Sequence, residues 1–409
     1  MKAKAENWRA SRAVLVPEAS AIGMIAVIRS LGRAGYPVHA VSNGSEALGF
    51  RSVYAAQSAV HPGYDDPRFL PWLEEYVATN AISAIVPSEG FLLAVRPVFA
   101  TYAPLMPISN DERTVYRAMS KCDVLAAFRD GPPDANLLDN LPPTITIMDT
   151  DPVPCRDALD RLDLPIFVKA DGAYARETCD SVVVRAATVD DALEAIARLR
   201  ESHSAVLIQS FVPGTRVVAD FCIWNDEIIS ESMMTARHEN PHYGGISTLR
   251  SIAWDQAIWD DAVKKLRRLD WNGCAMMEYR RDPATGAFYF IEINARYWTG
   301  LHVELFAGID IPCIQMDAFF GRTPPAFPRY VKPSWCRYTV PGETGYVTSI
   351  LKDNTVPIWR KAWAILEFFM LTMHPGIKSD LNFPGDRKLY FLAWHKFLRQ
   401  IFLTEKMVR

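Results

Sequence analysis

Three polar side chains interrupt two apolar segments that have the pattern of a β-hairpin. Glu278 lies in segment 275–279, and Glu292 and Asn294 lie in and just after segment 288–293. Because alternate residues of a strand share a face, Glu292 and Asn294 point the same way, and Glu278 can face them from the other strand. Two carboxylates and an amide oxygen placed together favour a cation between them, and hard oxygen ligands suit Mg²⁺ on nucleotide phosphates. We therefore expect a metal site on this hairpin.

Residues upstream of the hairpin could bind the rest of a nucleotide. Lys169 ends a predicted strand at 166–169, where its ammonium group can reach phosphate oxygens as a point charge, and Lys121 opens a helical stretch. Segment 206–214 is a strand that runs into a linker, and linker backbone can pair with the edge of an adenine. The candidate adenine contacts are Gln209, Ser210, Phe211 and Val212.

A loop and two arginines complete the candidate site. Gly244 and Gly245 lie in a short loop whose backbone amides could cradle phosphates. Arg237 is predicted to belong to the same loop, and Arg296 comes two residues after the last candidate metal ligand. Both guanidinium groups could bind a phosphoryl group or a substrate carboxylate.

The elements that must position these residues fall into two patterns. Over the first 110 residues, predicted strands alternate with predicted helices, which indicates a parallel sheet with ligands at the carboxyl ends of its strands. The strands are expected at 13–17, 38–41 and 84–87, and the helices at 21–34, 69–79 and 91–102. The turn at 17–23 has a single glycine, so a dinucleotide fingerprint is excluded. Residues 129–154 are rich in Pro, Asp and Asn and are predicted to form a loop. From residue 165 the pattern predicts an α+β unit with antiparallel sheets, with strands at 166–169, 181–185, 206–209, 217–224, 228–233, 275–279 and 288–293.

Taken together, these segments resemble the ATP-grasp superfamily. The order matches: Lys121, then Lys169 in FVKADG, then LIQSFVPG, HYGGIS and MEYRRDPATGAFYFIEINAR, over residues 114–322. The arrangement is similar to carbamoyl-phosphate-synthase-like and biotin-carboxylase-like proteins. It is most similar to the carboxylate–amine ligases, of which D-aspartate ligase is an example. Segment 374–386 also resembles the C-terminal ends of that group.

The resemblance implies a fold. We expect an α/β N-terminal domain with a parallel sheet, of the pre-ATP-grasp type, at 1–110. An α+β ATP-grasp domain of two lobes, with the nucleotide between them, would follow at 111–325. A small basic helical region would complete the chain at 326–409.

The resemblance also implies roles for the candidate residues. Both lysines would contact the phosphates of ATP, the backbone of 209–212 would hold adenine, and the hairpin would bind one or two Mg²⁺ ions, or Mn²⁺ in their place. Arg237 and Arg296 would steady the transferred phosphoryl group or an acyl phosphate. Members of the family often carry an acidic residue for the ribose after PG, where this chain has Thr215 and Arg216. Asp220 is the remaining acidic candidate for that role.

The activity that follows is an ATP-dependent carboxylate–amine ligase, which forms an amide or peptide bond through an acyl phosphate and releases ADP and phosphate. One alternative is an ATP-grasp carboxylase or carbamoyl-phosphate-type enzyme that activates bicarbonate. Another is an ATP-binding protein with a degenerate site. Candidate contacts for small-molecule carboxylate and amine substrates are Ser88, Glu89, Arg296, Trp298, Thr299 and His302, although packing is the favoured role of Trp298.

Composition and charge distribution indicate the partners and the cellular location of the protein. The 409 residues carry a net charge of −3, but residues 322–409 hold 14 Lys and Arg against six Asp and Glu, a net of +8. Apolar helical patterns at 356–373 and 389–403 predict either a cap on the body or on a dimer partner, or peripheral contact with an anionic membrane. Dispersed basic residues argue against nucleic acid. Seven scattered cysteines and a polar N-terminus predict a cytoplasmic protein.

Overall fold

A parallel sheet opens the chain in the computed structural model, which describes residues 8–154, 156–175, 182–323 and 333–402. Its four strands lie in the order β3-β2-β1-β4, and every neighbouring pair is parallel. The elements are β1 (Ala13–Val16), α1 (Ile22–Ala34), β2 (Val38–Ser42), β3 (Gln57–Val60), α2 (Phe69–Thr79), β4 (Ile82–Ile85), α3 (Glu89–Val95) and α4 (Phe99–Tyr102).

The predicted α/β fold of this region is confirmed, with two local differences. The helix expected at 91–102 is divided into α3 and α4, because Pro97 lies between them and cannot donate a helical hydrogen bond. Strand β3 has no counterpart in the prediction, since its residues are mostly exposed at the sheet edge and show no apolar pattern.

A second, antiparallel sheet follows, with strand order β5-β8-β6-β7. Strand β5 lies within 129–154, so the prediction that this stretch is only a loop was wrong. Its short alternation of Thr and Ile is flanked by Pro and Asp residues, which obscure the strand pattern. The elements are α5 (Glu112–Met119), α6 (Lys121–Arg129), β5 (Thr144–Met148), α7 (Arg156–Leu159), β6 (Ile166–Ala170), β7 (Val183–Ala186), α8 (Val189–Ser202) and β8 (Ala205–Ser210).

The largest sheet has seven strands in the order β13-β12-β9-β10-β11-β14-β15. Strand β10 continues to residue 240, so Arg237 lies on a strand and not in the loop expected from sequence. The elements are β9 (Thr215–Trp224), β10 (Glu227–Asn240), β11 (Ile246–Ile252), α9 (Gln256–Leu269), β12 (Gly273–Arg281), β13 (Phe288–Asn294), α10 (His302–Ala307), α11 (Ile311–Phe319), β14 (Trp335–Arg337), α12 (Thr344–Lys352), α13 (Ile358–Met373), β15 (Ile377–Ser379) and α14 (Lys388–Phe402).

Both faces of the seven-stranded sheet are covered. Val217 and Phe221 of β9 join one core, which includes α9, and Val218 joins another, which includes α1 and α10. The C-terminal region extends the sheet, because β14 pairs with β11; the predicted boundary between 325 and 326 lies outside the described residues. Within the described ranges, no helix is both long enough and apolar enough to cross a membrane.

Candidate active site

The β12–β13 hairpin brings the three predicted metal ligands together. Glu278 and Glu292 are directly opposite each other in the strand pairing. Residues so placed project from the same face, with Cβ atoms about 5 Å apart. Asn294 Nδ2 donates to Glu292 Oε1 at 3.3 Å, and Glu278 is 3% exposed. The result is two carboxylates and an amide held on one face.

Two basic side chains already compensate these carboxylates. Lys121 Nζ lies 3.4 Å from Glu292 Oε2, and Arg216 Nη2 lies 2.6 Å from Glu278 Oε1. Arg216 is a site residue that sequence reasoning missed, because it was considered only as a departure at the ribose position. Strand register is the signal that finds it: Arg216 pairs with Arg280, which places it diagonally beside Glu278.

The electrostatics of the pair are asymmetric. Burial raises the pKa of Glu278, although Arg216 acts against that shift. Burial also acts to raise the pKa of Glu292, but the charges of Lys121, Lys169 and Arg216 outweigh it and bring the pKa to about 2. Glu292 is therefore firmly ionised, and the basic groups leave the site able to accept further negative charge such as phosphate oxygens.

Lys169 lies on β6 of the four-stranded antiparallel sheet. Its Nζ donates to Gln209 Oε1 at 2.8 Å, and Gln209 Nε2 donates to Thr144 Oγ1 at 3.2 Å. Burial lowers the pKa of Lys169, which is 7% exposed. The predicted phosphate-binding lysine is thus fixed in place by a residue of the predicted adenine linker.

The linker after β8 is only partly free to pair with a base. The backbone amide of Ser210 donates to the Pro143 carbonyl at 3.0 Å, and that of Phe211 donates to the Asp163 carbonyl at 3.3 Å. The amide of Val212 makes no hydrogen bond to any described residue. Of the four linker residues singled out from sequence, Val212 is the one whose backbone donor is available.

The glycine loop is attached to the same network. The amide of Gly245 donates to Glu239 Oε2 at 3.3 Å, and Arg280 binds both oxygens of Glu239. A side chain at Gly245 would lie 2.1 Å from the Asn240 carbonyl oxygen, so the tight turn requires glycine there. Gly244 has a φ of 139°, which also favours glycine.

The two predicted catalytic arginines lie in different surroundings. Arg296 Nε donates to Glu89 Oε2 at 3.0 Å, and both line a cavity of about 20 Å³ beside Asn294. Arg237 Nη2 lies 2.5 Å from Glu367 Oε1 on α13. Among the contacts of the described residues, Arg237 is therefore joined to the C-terminal helix and not to the carboxylate pair.

The parallel sheet contributes acidic groups beside Arg296. Glu18 follows β1, and Ser88 and Glu89 follow β4, at the carboxyl ends of their strands. Ser88 Oγ donates to Glu18 Oε1 at 2.8 Å. Burial raises the pKa of Glu18. These groups form one wall next to the hairpin that carries the predicted metal ligands.

Known proteins supply the context for this arrangement. No protein-family model and no curated protein sequence matches the chain. N5-carboxyaminoimidazole synthetase from Staphylococcus aureus, in complex with ADP, has a TM-score of 0.58 and 15% identity over 79% of this chain and 81% of that chain. L-amino acid ligase from Bacillus licheniformis has a TM-score of 0.53 and 14% identity over 75% and 73%.

A third solved structure is the biotin carboxylase domain dimer of the Hydrogenobacter thermophilus 2-oxoglutarate carboxylase, with MgADP and bicarbonate. It has a TM-score of 0.57 and 15% identity, over 78% of this chain and 71% of that chain. This likeness, together with the sheets described above, decides the architecture. The chain has the ATP-grasp fold. The fold expected from the sequence motifs is therefore confirmed.

One carboxylate connects the segments that carry the two predicted phosphate-binding lysines. Asp171 Oδ2 accepts from Ser120 Oγ at 2.8 Å and from the Cys122 amide at 2.9 Å, on either side of Lys121. Asp171 also lies two residues after Lys169. It is a positioning residue that sequence reasoning missed, although it lies within the FVKADG motif.

Several further candidates are excluded by burial. Asp220 is fully buried with Glu304 nearby, so its carboxylate is not accessible to a ribose. Trp298 is 1% exposed and donates to Glu304. His302 is fully buried and contacts Arg29 at 2.9 Å. Trp298 and His302 therefore lie in the layer beneath the site, where Trp298 has the packing role favoured from sequence and His302 is not exposed to a substrate.

Proposed function

We propose that this protein is an ATP-dependent carboxylate–amine ligase, which forms an amide or peptide bond through an acyl phosphate and releases ADP and phosphate. The observation that carries the proposal is the facing pair Glu278 and Glu292, with Asn294 beside it and Lys121 and Lys169 around it. The likeness to an L-amino acid ligase supports the same class of reaction.

The hairpin suits a divalent cation. Glu278, Glu292 and Asn294 would hold one or two Mg²⁺ ions, or Mn²⁺, because all three offer hard oxygen atoms and the facing carboxylates need positive charge between them. The described residues contain no group of three His, Cys, Asp or Glu side chains that could hold a metal ion, so nucleotide phosphates would supply further ligands. A bound metal would neutralise charge on the β- and γ-phosphates.

The chain's own residues would do the rest by positioning. The ammonium groups of Lys121 and Lys169 provide fixed positive charge for the phosphates, and the free amide of Val212 can pair with adenine. A substrate carboxylate oxygen attacks the γ-phosphorus, the bond to the bridging oxygen breaks, and ADP leaves. An amine nitrogen then attacks the acyl carbon, the bond to the phosphate oxygen breaks, and the amine loses a proton.

The N-terminal wall is the best location for the acceptor amine. Arg296 lies between Glu89 and the hairpin, where it can bind the acyl phosphate or a substrate carboxylate. Glu18 and Glu89 face an ammonium-bearing substrate with negative charge. Because burial raises the pKa of Glu18, this carboxylate is suited to accept the proton that the amine releases.

Two other functions remain as candidates. A bicarbonate-activating enzyme is favoured by the likeness to N5-carboxyaminoimidazole synthetase and to a biotin carboxylase domain solved with bicarbonate. An ATP-binding protein with a degenerate site is favoured by Arg216, which pairs with Glu278 where a metal ligand is expected.

The substrates required for ADP release distinguish the three functions. ADP release is measured with Mg-ATP and a panel of carboxylates and amines, and with bicarbonate alone. A ligase requires both an acid and an amine, and ¹⁸O from the labelled carboxylate appears in the released phosphate. ADP release with bicarbonate alone supports the second function. Tight Mg-ATP binding without turnover across the panel supports the third.

Variants of the hairpin test the site itself. Glu278→Gln and Glu292→Gln should each lower the rate of ADP release by about a hundredfold or more. Glu227→Gln is the matched control, because Glu227 is an exposed carboxylate at the other end of the same sheet. Unchanged turnover in both hairpin variants would show that the carboxylate pair is not the catalytic metal site.

A further inference from the structure

Helix α13 exposes an apolar stripe along its whole length. Trp359 is 64% exposed, Phe369 60% and Met373 85%, although each is a large apolar side chain. Exposed apolar residues recur every three or four positions, at 359, 363, 366, 370 and 373, so they form one continuous face of the helix. Contiguous apolar patches on a protein surface mark interaction sites. The exposed apolar residues of this helix are Ile358, Trp359, Trp363, Ile365, Leu366, Phe369, Met370 and Met373.

The opposite face of α13 is already occupied. Glu367, the only acidic residue of the helix, is 8% exposed and pairs with Arg237 and His238 of β10. Phe368 packs beneath Arg337, whose guanidinium carbon lies 4.6 Å from the ring centroid. The helix is therefore fixed with its one negative charge inward and its apolar residues outward.

Helix α14 packs beside α13 and also exposes apolar side chains. Phe391 is 67% exposed and Leu398 44% exposed, and Trp394 contacts Phe368 of α13 with 6.4 Å between ring centroids. No acidic residue occurs between 388 and 402. The basic residues carried by the two helices are Arg360, Lys361, Lys388, Lys396 and Arg399.

The positive charge of this surface favours an anionic bilayer over a second copy of the chain as its binding partner. A second copy of the chain on the same face would set one basic surface against another, because neither helix exposes an acidic residue, and like charge across an interface costs binding free energy. An anionic bilayer offers both complementary parts: phosphate groups for Lys and Arg, and an acyl boundary for Trp, Phe and Met.

We propose that the outer face of α13 and α14 docks on an anionic phospholipid bilayer, with both helices lying in the plane of the membrane surface. The inner face of α13 would then rest on β10 through the pair of Glu367 and Arg237. The docking itself does not depend on which reaction the site performs.

Vesicle binding by the full chain tests this. The protein is sedimented with vesicles of equal parts phosphatidylglycerol and phosphatidylcholine, and with vesicles of phosphatidylcholine alone, at low and high salt. We expect binding to the anionic vesicles that weakens with salt, and much weaker binding to the neutral ones. Absence of binding to anionic vesicles at low salt would refute the proposal.

Two double variants separate the apolar and the electrostatic contributions. Lys396→Glu with Arg399→Glu should weaken vesicle binding by about twenty-five-fold or more. Trp363→Ser with Phe369→Ser should abolish it. The controls are Leu138→Ser and Arg198→Glu, which change an exposed apolar and an exposed basic residue elsewhere and should bind as the parent does.

Folding and self-association are measured on the same samples. An unchanged unfolding midpoint and unchanged rate of ADP release show that a variant has lost docking and not structure. Light scattering reports the mass in solution. A dimer that Trp363→Ser with Phe369→Ser converts to a monomer would show that a second copy covers the face, and would overturn the membrane proposal.

Discussion

Arg216 compensates Glu278 in the same way that a metal ion would. Its Nη2 lies 2.6 Å from the carboxylate, and its Nε has no hydrogen-bond partner among the described residues. Removing one partner of a largely buried ion pair leaves the other charge uncompensated. We expect Arg216→Gln to lower the free energy of unfolding by about 3 kcal/mol without nucleotide.

Mg-ADP should reverse part of this loss. A metal ion at the hairpin would supply the missing positive charge, so Mg-ADP should stabilise Arg216→Gln more than it stabilises the parent. Urea unfolding of both proteins, with and without Mg-ADP, measures the difference. An equal effect of Mg-ADP on both would show that Arg216 and the metal do not share Glu278.

Acid stability reports on Glu292. Its pKa is lowered from an ordinary value of 4.5 to about 2, because Lys121 and the other basic groups outweigh burial. A carboxyl group with a lowered pKa stabilises the folded state above its ordinary pKa and loses that contribution as the pH falls toward the folded value. We expect on the order of 3 kcal/mol to be lost between about pH 4.5 and pH 2.

Glu292→Gln and Glu278→Gln should change the pH dependence of the unfolding free energy in opposite directions. Glu292→Gln should flatten the acid limb of a plot of unfolding free energy against pH. Burial raises the pKa of Glu278, so its folded state takes up a proton more readily and gains stability on acidification; Glu278→Gln should therefore steepen the same limb. Identical changes in both variants would contradict the opposite shifts.

At the scale of the element, the buried carboxylate of Asp171 holds the first turn of α6 in place. Asp171 accepts from Ser120 and from the Cys122 amide, which fixes the first turn and hence Lys121. We expect Asp171→Ala to cost about 2 kcal/mol of unfolding free energy and to raise the KM for ATP about tenfold with a smaller change in kcat. Asp130→Ala, at the exposed end of the same helix, is the control.

Elements show which parts of the fold the sequence could predict. The hairpin was predictable because Glu278 and Glu292 interrupt clear apolar alternation across a strong turn. Strands β3 and β5 were not, since edge strands with exposed or flanking polar residues lack that alternation. The contact of Arg216 with Glu278 could not be predicted, because it depends on the register between β9 and β12, and no local sequence pattern encodes that pairing.

At the scale of the whole molecule, segment 380–386 joins three parts of the chain. Asp380 forms an ion pair with Arg250 of β11, with 2.8 Å between Oδ1 and Nη2. Asp386 forms an ion pair with Arg29 of α1, with 2.8 Å between Oδ2 and Nε. All four side chains are fully buried. The sequence showed the net positive charge of the C-terminal region. It did not show that Asp380 and Asp386 form buried ion pairs with distant arginines, because those pairs depend on the fold.

Loss of the Arg29 contact should loosen this connection between the N-terminal domain, the central sheet and the C-terminal segment. Arg29 also donates to the carbonyls of Asp380 and Leu381. We expect Arg29→Met to lower the free energy of unfolding by about 3–5 kcal/mol, because it leaves Asp386 buried without its counter-ion. Urea unfolding measures the loss, and limited proteolysis should show earlier cleavage within 380–388.

A matched control lies one turn further along α1. Arg33 pairs with Asp310 at 2.7 Å, but its side chain is 43% exposed, so Arg33→Met should cost less than about 1 kcal/mol. Adding Asp386→Leu to Arg29→Met should recover part of the stability, because no unpaired buried charge then remains. Equal losses in the two arginine variants, or no recovery in the double variant, would show that the buried pair does not hold the C-terminal segment to the N-terminal domain.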